Sequence, residues 1–427
     1  NWRAPTGSTI STRLDTGSLP RSGRVARSSL SCRQVDPKKG TESRGGPLKQ
    51  SFSALGRWRG AIQLLAGANQ MNQRTRWRCP VCQRATGPVA AVLGACHQCL
   101  SSPAKPLSEQ VLAQHAQTRE EFGLPGEPPQ AESGVACSLC LHRCRLPKGG
   151  LGYCGLRTNQ GGRLVHLGGT PARGILHCYH DPLPTNCVAD WVCPGHGQMG
   201  RTNLAVFYGG CTLNCLFCQN WHCRQLSELP RLSASELAAK ADERTYCLCF
   251  FGGDPTPQMP HALATARHLA ERVRICWETN ATMAPSLLKA ALELSLQSGG
   301  CLKIDLKAWD ERLHLALTGA SNRAILDNFA LAASYTSRRS SPPLLVASTL
   351  LVPGYVESAE VGQIARFIAG LDPSIPYALL AFAPAFYLGD LPCTPRQQAQ
   401  ECLQAAREAG LHNVRLGNRQ LIGAEGL

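Results

Sequence analysis

No stretch of this 427-residue chain approaches the roughly 20 consecutive apolar residues that a membrane-crossing helix needs. Leu64-Leu65-Ala66-Gly67-Ala68 is far too short, and nothing ahead of it has a signal-peptide pattern. Acidic residues are also scarce: 29 Asp and Glu against 44 Lys and Arg leave a net charge of +15. Most of that excess lies in residues 1–70. The modest positive balance left over suits an acidic partner or an anionic cofactor as well as it suits nucleic acid. Methionine is rare too, with four residues, the first at Met71. Residues 1–70 are rich in Arg, Ser, Gly and Thr and show no sustained apolar period. They are expected to be disordered, or to be a non-native extension ahead of a true start at Met71. These features point to a cytoplasmic protein with no membrane partner, and nucleic acid is not expected as a ligand.

Cysteine, by contrast, is abundant, with 22 residues. Disulfide frameworks belong to short secreted chains, whereas Cys-x2-Cys pairs in a long chain read as metal ligands. Four groups stand out. Cys79, Cys82, Cys96 and Cys99 form two such pairs around a short loop, within a segment bounded at 71–105. That pattern suits a four-cysteine zinc ribbon in which the metal supplies folding energy, with a rubredoxin-like iron site as the rival. Residues 106–203 read as a polar connector followed by a cysteine-rich and then loop-like stretch. Within it, Cys137, Cys140, Cys144 and Cys154 make a second four-thiolate set, for an auxiliary Fe-S cluster or for zinc. Cys178, His180, Cys187, Cys193 and His196 follow in no sharp spacing, and Cys247, Cys249, Cys276 and Cys301 read as core residues.

From residue 204 to the end, short apolar runs alternate with amphipathic segments, the pattern of βα units around a parallel sheet. The runs are Leu204–Tyr208, Tyr246–Phe251, Arg274–Glu278, Leu302–Leu306, Leu345–Val352, Tyr377–Phe382 and Asn413–Leu416. Helices are expected over 233–242, 260–272, 284–298, 322–335, 358–371 and 395–409. The fold class is α/β, a full or partial (β/α) barrel, with its chemistry at the C-terminal ends of the strands.

The fourth cysteine group sits at such an end. Gly209-Gly210-Cys211-Thr-Leu-Asn-Cys215-Leu-Phe-Cys218-Gln-Asn220 follows the first run directly. Three thiolates at this spacing can hold a 4Fe-4S cubane with one iron left open, whereas zinc ordinarily takes four ligands. This motif resembles the radical S-adenosylmethionine (SAM) superfamily, and within it the pyruvate formate-lyase activating enzymes and the AmmeMemoRadiSam-type enzymes. The likeness runs from about Cys137 to Asn418. Gly252-Gly253-Asp254 looks like the family's Gly-Gly-Glu, with aspartate in place of glutamate. Glu278-Thr279-Asn280 and Asp305-Leu306-Lys307 resemble the Asp-Thr-Asn and Asp-Leu-Lys of the activating enzymes. Val352-Pro353-Gly354 resembles the family's Val-Pro-Gly. Cys218-Gln-Asn-Trp221 and Val414-Arg-Leu-Gly417-Asn418 look like the AmmeMemoRadiSam type.

The resemblance implies that Cys211, Cys215 and Cys218 carry the catalytic cluster. Phe217 is implied to lie near the adenine of SAM and Gly252, Gly253 and Asp254 at its amino end, with Asp305 and Lys307 near its carboxylate. Asn220, Glu278 and Asn280 complete the implied cofactor site. It implies an electron donor such as flavodoxin or ferredoxin, and a substrate that is either a glycine in a partner protein or an unassigned molecule. Taken singly, Gly252-Gly253 reads better as a tight turn and Asp305 with Lys307 as an ion pair; their joint position at strand ends behind the cluster motif reverses that reading. A protein of another class, a non-catalytic zinc module binding RNA, would leave this ordered set of motifs unexplained.

Overall fold

The computed structural model describes residues 77–104, 107 and 109–423. The expected extension over 1–70 and the start at Met71 lie outside these residues. Nine strands form one sheet: β1 (Gly174–Pro182), β2 (Thr202–Tyr208), β3 (Arg231–Leu232), β4 (Thr245–Gly252), β5 (Arg274–Thr279), β6 (Leu302–Asp305), β7 (Leu345–Leu351), β8 (Tyr377–Ala381) and β9 (Val414–Gly417). Their order is β9-β8-β7-β6-β5-β4-β2-β1-β3. From β2 to β9 every pairing is parallel and follows chain order. Only β1 runs against the others, pairing antiparallel with β2 on one side and β3 on the other. The two sheet edges are β9 and β3, so among the described residues the barrel is partial rather than full.

Among the described residues nine α-helices accompany the strands: α1 (His97–Ser101), α2 (Glu109–Glu120), α3 (Ala234–Ala238), α4 (Met259–Leu269), α5 (Pro285–Ser298), α6 (Glu311–Thr318), α7 (Arg323–Ala333), α8 (Ser358–Leu371) and α9 (Arg396–Glu408). Local signals set their ends. Ser233 and Glu236 make a reciprocal capping box at α3. Pro285 opens α5 where its missing N–H costs nothing, and Gly299 closes it in the left-handed region at φ 75°. Asp310 caps α6 by accepting from the Leu313 N–H at 2.8 Å. The helices bury their apolar faces against a sheet whose interior includes Trp277 stacked on Phe250, ring centroids 4.4 Å apart.

Among the elements that differ from the sequence expectation, three are longer than five residues. The expected connector contains α2, whose buried residues are Val111, His115, Thr118 and Arg119. A buried face that is mostly polar has no apolar period to read. The loop-like stretch contains β1, a nine-residue strand whose second half is mostly exposed and ends in Pro182, as an outer antiparallel strand tolerates. Finally, α6 was not anticipated at all.

The Cys79 segment packs onto the barrel. Tyr355, after β7, accepts from the Ala90 N–H at 2.9 Å and donates to the Ala95 carbonyl at 3.2 Å. A Cβ on Gly354, at φ +79°, would stand 2.1 Å from the Pro88 carbonyl oxygen. The close approach of the two backbones therefore requires glycine there.

Candidate active site

A cavity of about 490 Å³ opens at the C-terminal ends of the parallel strands. Its wall runs from the three-thiol loop after β2 round to the end of β9 at Arg415–Asn418. The strands therefore curve about a common centre, as function at the strand ends demands.

The three-thiol loop is held by elements distant in sequence. Asn214, between the first two cysteines, donates to the His115 carbonyl at 3.0 Å and to Thr118 Oγ1 at 2.8 Å, both on α2. The Asn214 and Leu216 amides donate to the carbonyls of Thr318 (2.8 Å) and Leu317 (3.0 Å), at the C-terminus of α6. The Leu216 carbonyl accepts from the Tyr387 N–H at 2.9 Å. Helix ends leave carbonyls without intrahelical partners, and α6 uses two of them to shape this loop.

Cys211, Cys215 and Cys218 all line the cavity. The Cys211 sulfur accepts from the Leu213 N–H at 3.4 Å and from Asn280 Nδ2 at 3.5 Å. Burial pushes the Cys215 thiol up to about 12, against the pull of Lys307 and Arg224. Burial and the neighbouring Asp254 raise Cys211 well above the usual thiol range. Such groups become thiolates only on binding a metal, which deprotonates them. Arg224, 3% exposed, has Nε and Nη1 without any hydrogen-bond partner. A buried orphan cation packed against the loop that carries three convergent thiols fits an anionic iron–sulfur cluster.

Of the other expected site residues, Phe217, Asn220, Gly253, Glu278, Asn280, Asp305 and Lys307 also line the cavity. Lys307 Nζ lies 2.8 Å from Asp305 Oδ2. Burial opposes its charge, but Asp305 and the Cys215 sulfur outweigh it and hold the ammonium above its usual range. Gly252 and Asp254 are not on the wall. Asp254, 1% exposed, points inward and is a brace. It accepts from the hydroxyls of Thr279 (2.8 Å), Thr212 (3.0 Å) and Thr256 (3.2 Å) and from the Asn280 N–H (3.4 Å). Burial raises its carboxyl while these donors pull the other way. The two glycines are sterically required: a Cβ on Gly252 would meet the Phe207 ring at 2.0 Å, and one on Gly253 the Tyr208 carbonyl oxygen at 2.1 Å.

Glu278 faces the cavity but is paired at 2.8 Å with Lys303, a residue no motif announced. Lys303 Nζ also donates to Cys249 (3.1 Å) and Cys187 (3.2 Å). Cys187, from the irregular group, lines the cavity as well. Cys249, Cys276 and Cys301 do pack as core.

The remaining thiol sets differ in compactness. The ligand atoms of Cys79, Cys82, Cys96 and Cys99 all lie within 4.8 Å of one another, as four ligands on one ion must. Burial raises Cys79, but donation from the backbones of Cys82 and Cys96 outweighs it and brings the thiol down to about 6. Cys137, Cys140, Cys144 and Cys154 line a single narrow cleft with Tyr153 and Thr212. Among the described residues they are not part of any equally compact ligand set. Thr212 adjoins Cys211, and its carbonyl accepts from His142 Nε2 at 2.5 Å, so the second set borders the cluster loop.

Residues 205–368 match the family model of the Radical SAM superfamily, so the chain carries a radical SAM domain there. The pyruvate formate-lyase-activating enzyme of Staphylococcus aureus is 28% identical over 189 residues, 42% of this chain and 73% of that enzyme. A Methanocaldococcus jannaschii protein, named as a candidate glycyl-radical enzyme activating enzyme, is 25% identical over 175 residues. That match covers 40% of this chain and 64% of the relative, just under two thirds of its length. Among solved structures, a domain of the pyruvate formate-lyase-activating enzyme from Bacteroides vulgatus aligns with a TM-score of 0.32 at 20% identity, over 40% of this chain and 98% of that one.

Proposed function

We propose that the chain is a radical SAM enzyme whose cluster is held by Cys211, Cys215 and Cys218. When bound, the cluster and SAM supply one-electron cleavage of the sulfonium to methionine and a 5′-deoxyadenosyl radical for hydrogen abstraction. The observation that carries this reading is the convergence of three thiols, that of Cys215 buried and the other two half-buried, and the charged Lys307 on one cavity at the strand ends.

In this reading Lys307, steadied by Asp305, would meet the SAM carboxylate. Gly253 and Asn280 would receive its amino end, and Phe217 would lie against the adenine. Asp254 acts one step back, tying the cluster loop through Thr212 to the end of β5 through Thr279. The compact Cys79 quartet would hold zinc as a structural ion. The looser Cys137 quartet would hold an auxiliary cluster, and a flavodoxin or ferredoxin would deliver electrons.

The Cys-Gln-Asn-Trp and Leu-Gly-Asn features support an AmmeMemoRadiSam-type enzyme with an unassigned substrate. The names of the Staphylococcus and Methanocaldococcus relatives support a second reading, in which the substrate is a glycine of a partner enzyme.

The test is anaerobic reconstitution with iron and sulfide, reduction, addition of SAM and assay of 5′-deoxyadenosine. Product is expected from the native chain, and none from Cys215→Ala, which also loses the cluster. A native chain that takes up no cluster would overturn the proposal.

A further inference from the structure

Arg224 follows the three-thiol loop and is buried without an anion. Among the described residues no carboxylate pairs with it, and two of its nitrogens have no partner. The other large buried guanidinium nearby, Arg119, is instead satisfied by the carbonyls of Pro125 and Tyr153. Arg224 lies over two rings, 4.8 Å from the centroid of Phe386 and 5.8 Å from that of Phe122, with Trp221 stacked 6.0 Å beyond Phe386. Phe386 holds a φ of 53°, a conformation that costs a non-glycine residue about 1–3 kcal/mol.

A cation over an aromatic face gains about 0.5–2 kcal/mol, whereas a buried, unpaired charge costs several. The aromatic clamp does not close that gap; a nearby negative charge would. The Cys223 carbonyl, next to Arg224, accepts from the Gly210 N–H at 2.8 Å, and Tyr387, next to the Phe386 ring under the guanidinium, donates its N–H to the Leu216 carbonyl at 2.9 Å, so Arg224 packs against both ends of the three-thiol loop. A cubane held by three thiolates is anionic and gains one further negative charge on reduction. Its net charge and surroundings set its potential.

We propose that Arg224 is the buried counter-charge of the cluster held by Cys211, Cys215 and Cys218, and that it raises the cluster's reduction potential. The inference rests on the radical SAM reading above. Arg224 acts through the cluster and is a positioning residue, favouring the reduced form that must donate the electron. The Phe122–Phe386 clamp keeps the guanidinium in place without a carboxylate that would cancel its charge.

The test is an anaerobic redox titration followed by electron paramagnetic resonance on the full chain, compared with Arg224→Met, Arg224→Gln and Arg224→Lys. The relevant signal is the one that changes on adding SAM, which separates it from any auxiliary cluster. The Met and Gln variants are expected to hold at least tenfold less reduced cluster at a fixed donor potential, about 59 mV for a one-electron couple. Lysine is expected to retain most of the native potential. Equal midpoints in the native, Met and Gln proteins would overturn the proposal, as would a lysine variant shifted as far as methionine. If Met and Gln take up no cluster while Lys does, the charge is needed even for assembly and the proposal stands. If all three fail alike, shape rather than charge is at work and it falls. A native chain without any SAM-responsive signal would instead sink the radical SAM reading itself.

Discussion

At Lys303 an ammonium group, its side chain 1% exposed, sits among sulfur atoms with one carboxylate, Glu278, as its counter-ion. Burial disfavours its charge, but the Cys187 and Cys249 sulfurs and Glu278 outweigh that and hold it well above the ordinary lysine range. Removing one member of a buried pair strands the other, at roughly 3–5 kcal/mol. Lys303→Met should therefore lower thermal stability by about that much. The Lys303→Met/Glu278→Gln double variant should recover part of the loss, because neither charge is then left alone. Differential scanning calorimetry of the native, single and double variants measures the coupling, and strictly additive losses would count against it. The sequence shows Cys249, Cys276 and Cys301 only as core cysteines. Their alignment at one level across β4, β5 and the residue just before β6 is a matter of register, visible in the Cys249–Cys276 pairing and in the 4.0 Å Cys276–Cys301 sulfur contact.

Among the elements, α6 shows how much signal a short helix can carry and still escape notice. Asp310 at its start and Gly319, at φ 71°, just past its end are ordinary cap residues. Its eight residues are too few for a persuasive apolar period, yet its last carbonyls shape the cluster loop. His314 on α6 is fully buried, with Nδ1 donating to the Ala320 carbonyl at 2.7 Å and Nε2 unpartnered. Burial brings it down to about 4, against about 6.5 in an unfolded chain. Between those values the unfolded chain takes up a proton that the folded chain refuses. Stability therefore falls on acidification, by roughly 3 kcal/mol once pH 4 is reached. His314→Asn should flatten that part of the stability-versus-pH curve in urea unfolding. An unchanged slope between pH 6.5 and 4 would show that the proton goes elsewhere. The element α2 had no comparable signal, because the groups it buries are largely polar.

For the whole molecule, one phenol makes two of the bonds that join the Cys79 segment to the barrel. Tyr355 is 1% exposed, and its hydroxyl bonds Ala90 and Ala95 of the segment. His97 adds a 3.5 Å contact to Glu360 on α8. Tyr355→Phe would leave a buried N–H unpaired, at about 1–3 kcal/mol. Amide exchange over residues 77–101 should quicken in that variant while the β4–β6 core keeps its protection. Stripping the metal with a chelator should have the larger effect on the same residues, since a small metal site draws its folding energy from the ion. Equal exchange with and without metal would show that the segment folds on its own. No helix among the described residues is long and apolar enough to cross a membrane.

What the sequence determined by itself is whatever depends on neighbours along the chain. The seven parallel strands follow from apolar runs, most helices from three- and four-residue spacing, and the three-thiol loop from its cysteine interval. The tight turn at Gly252-Gly253 belongs to the same set. Only the tertiary structure decided which charges lie opposite one another. It turned Asp254 inward to three threonine hydroxyls, set Lys303 against Glu278, and left Arg224 beside the cluster loop without an acid. The physical reason is that a buried polar group is specified by partners that distant elements deliver. The pattern along the chain records only whether a side chain is apolar, not what meets it across the core.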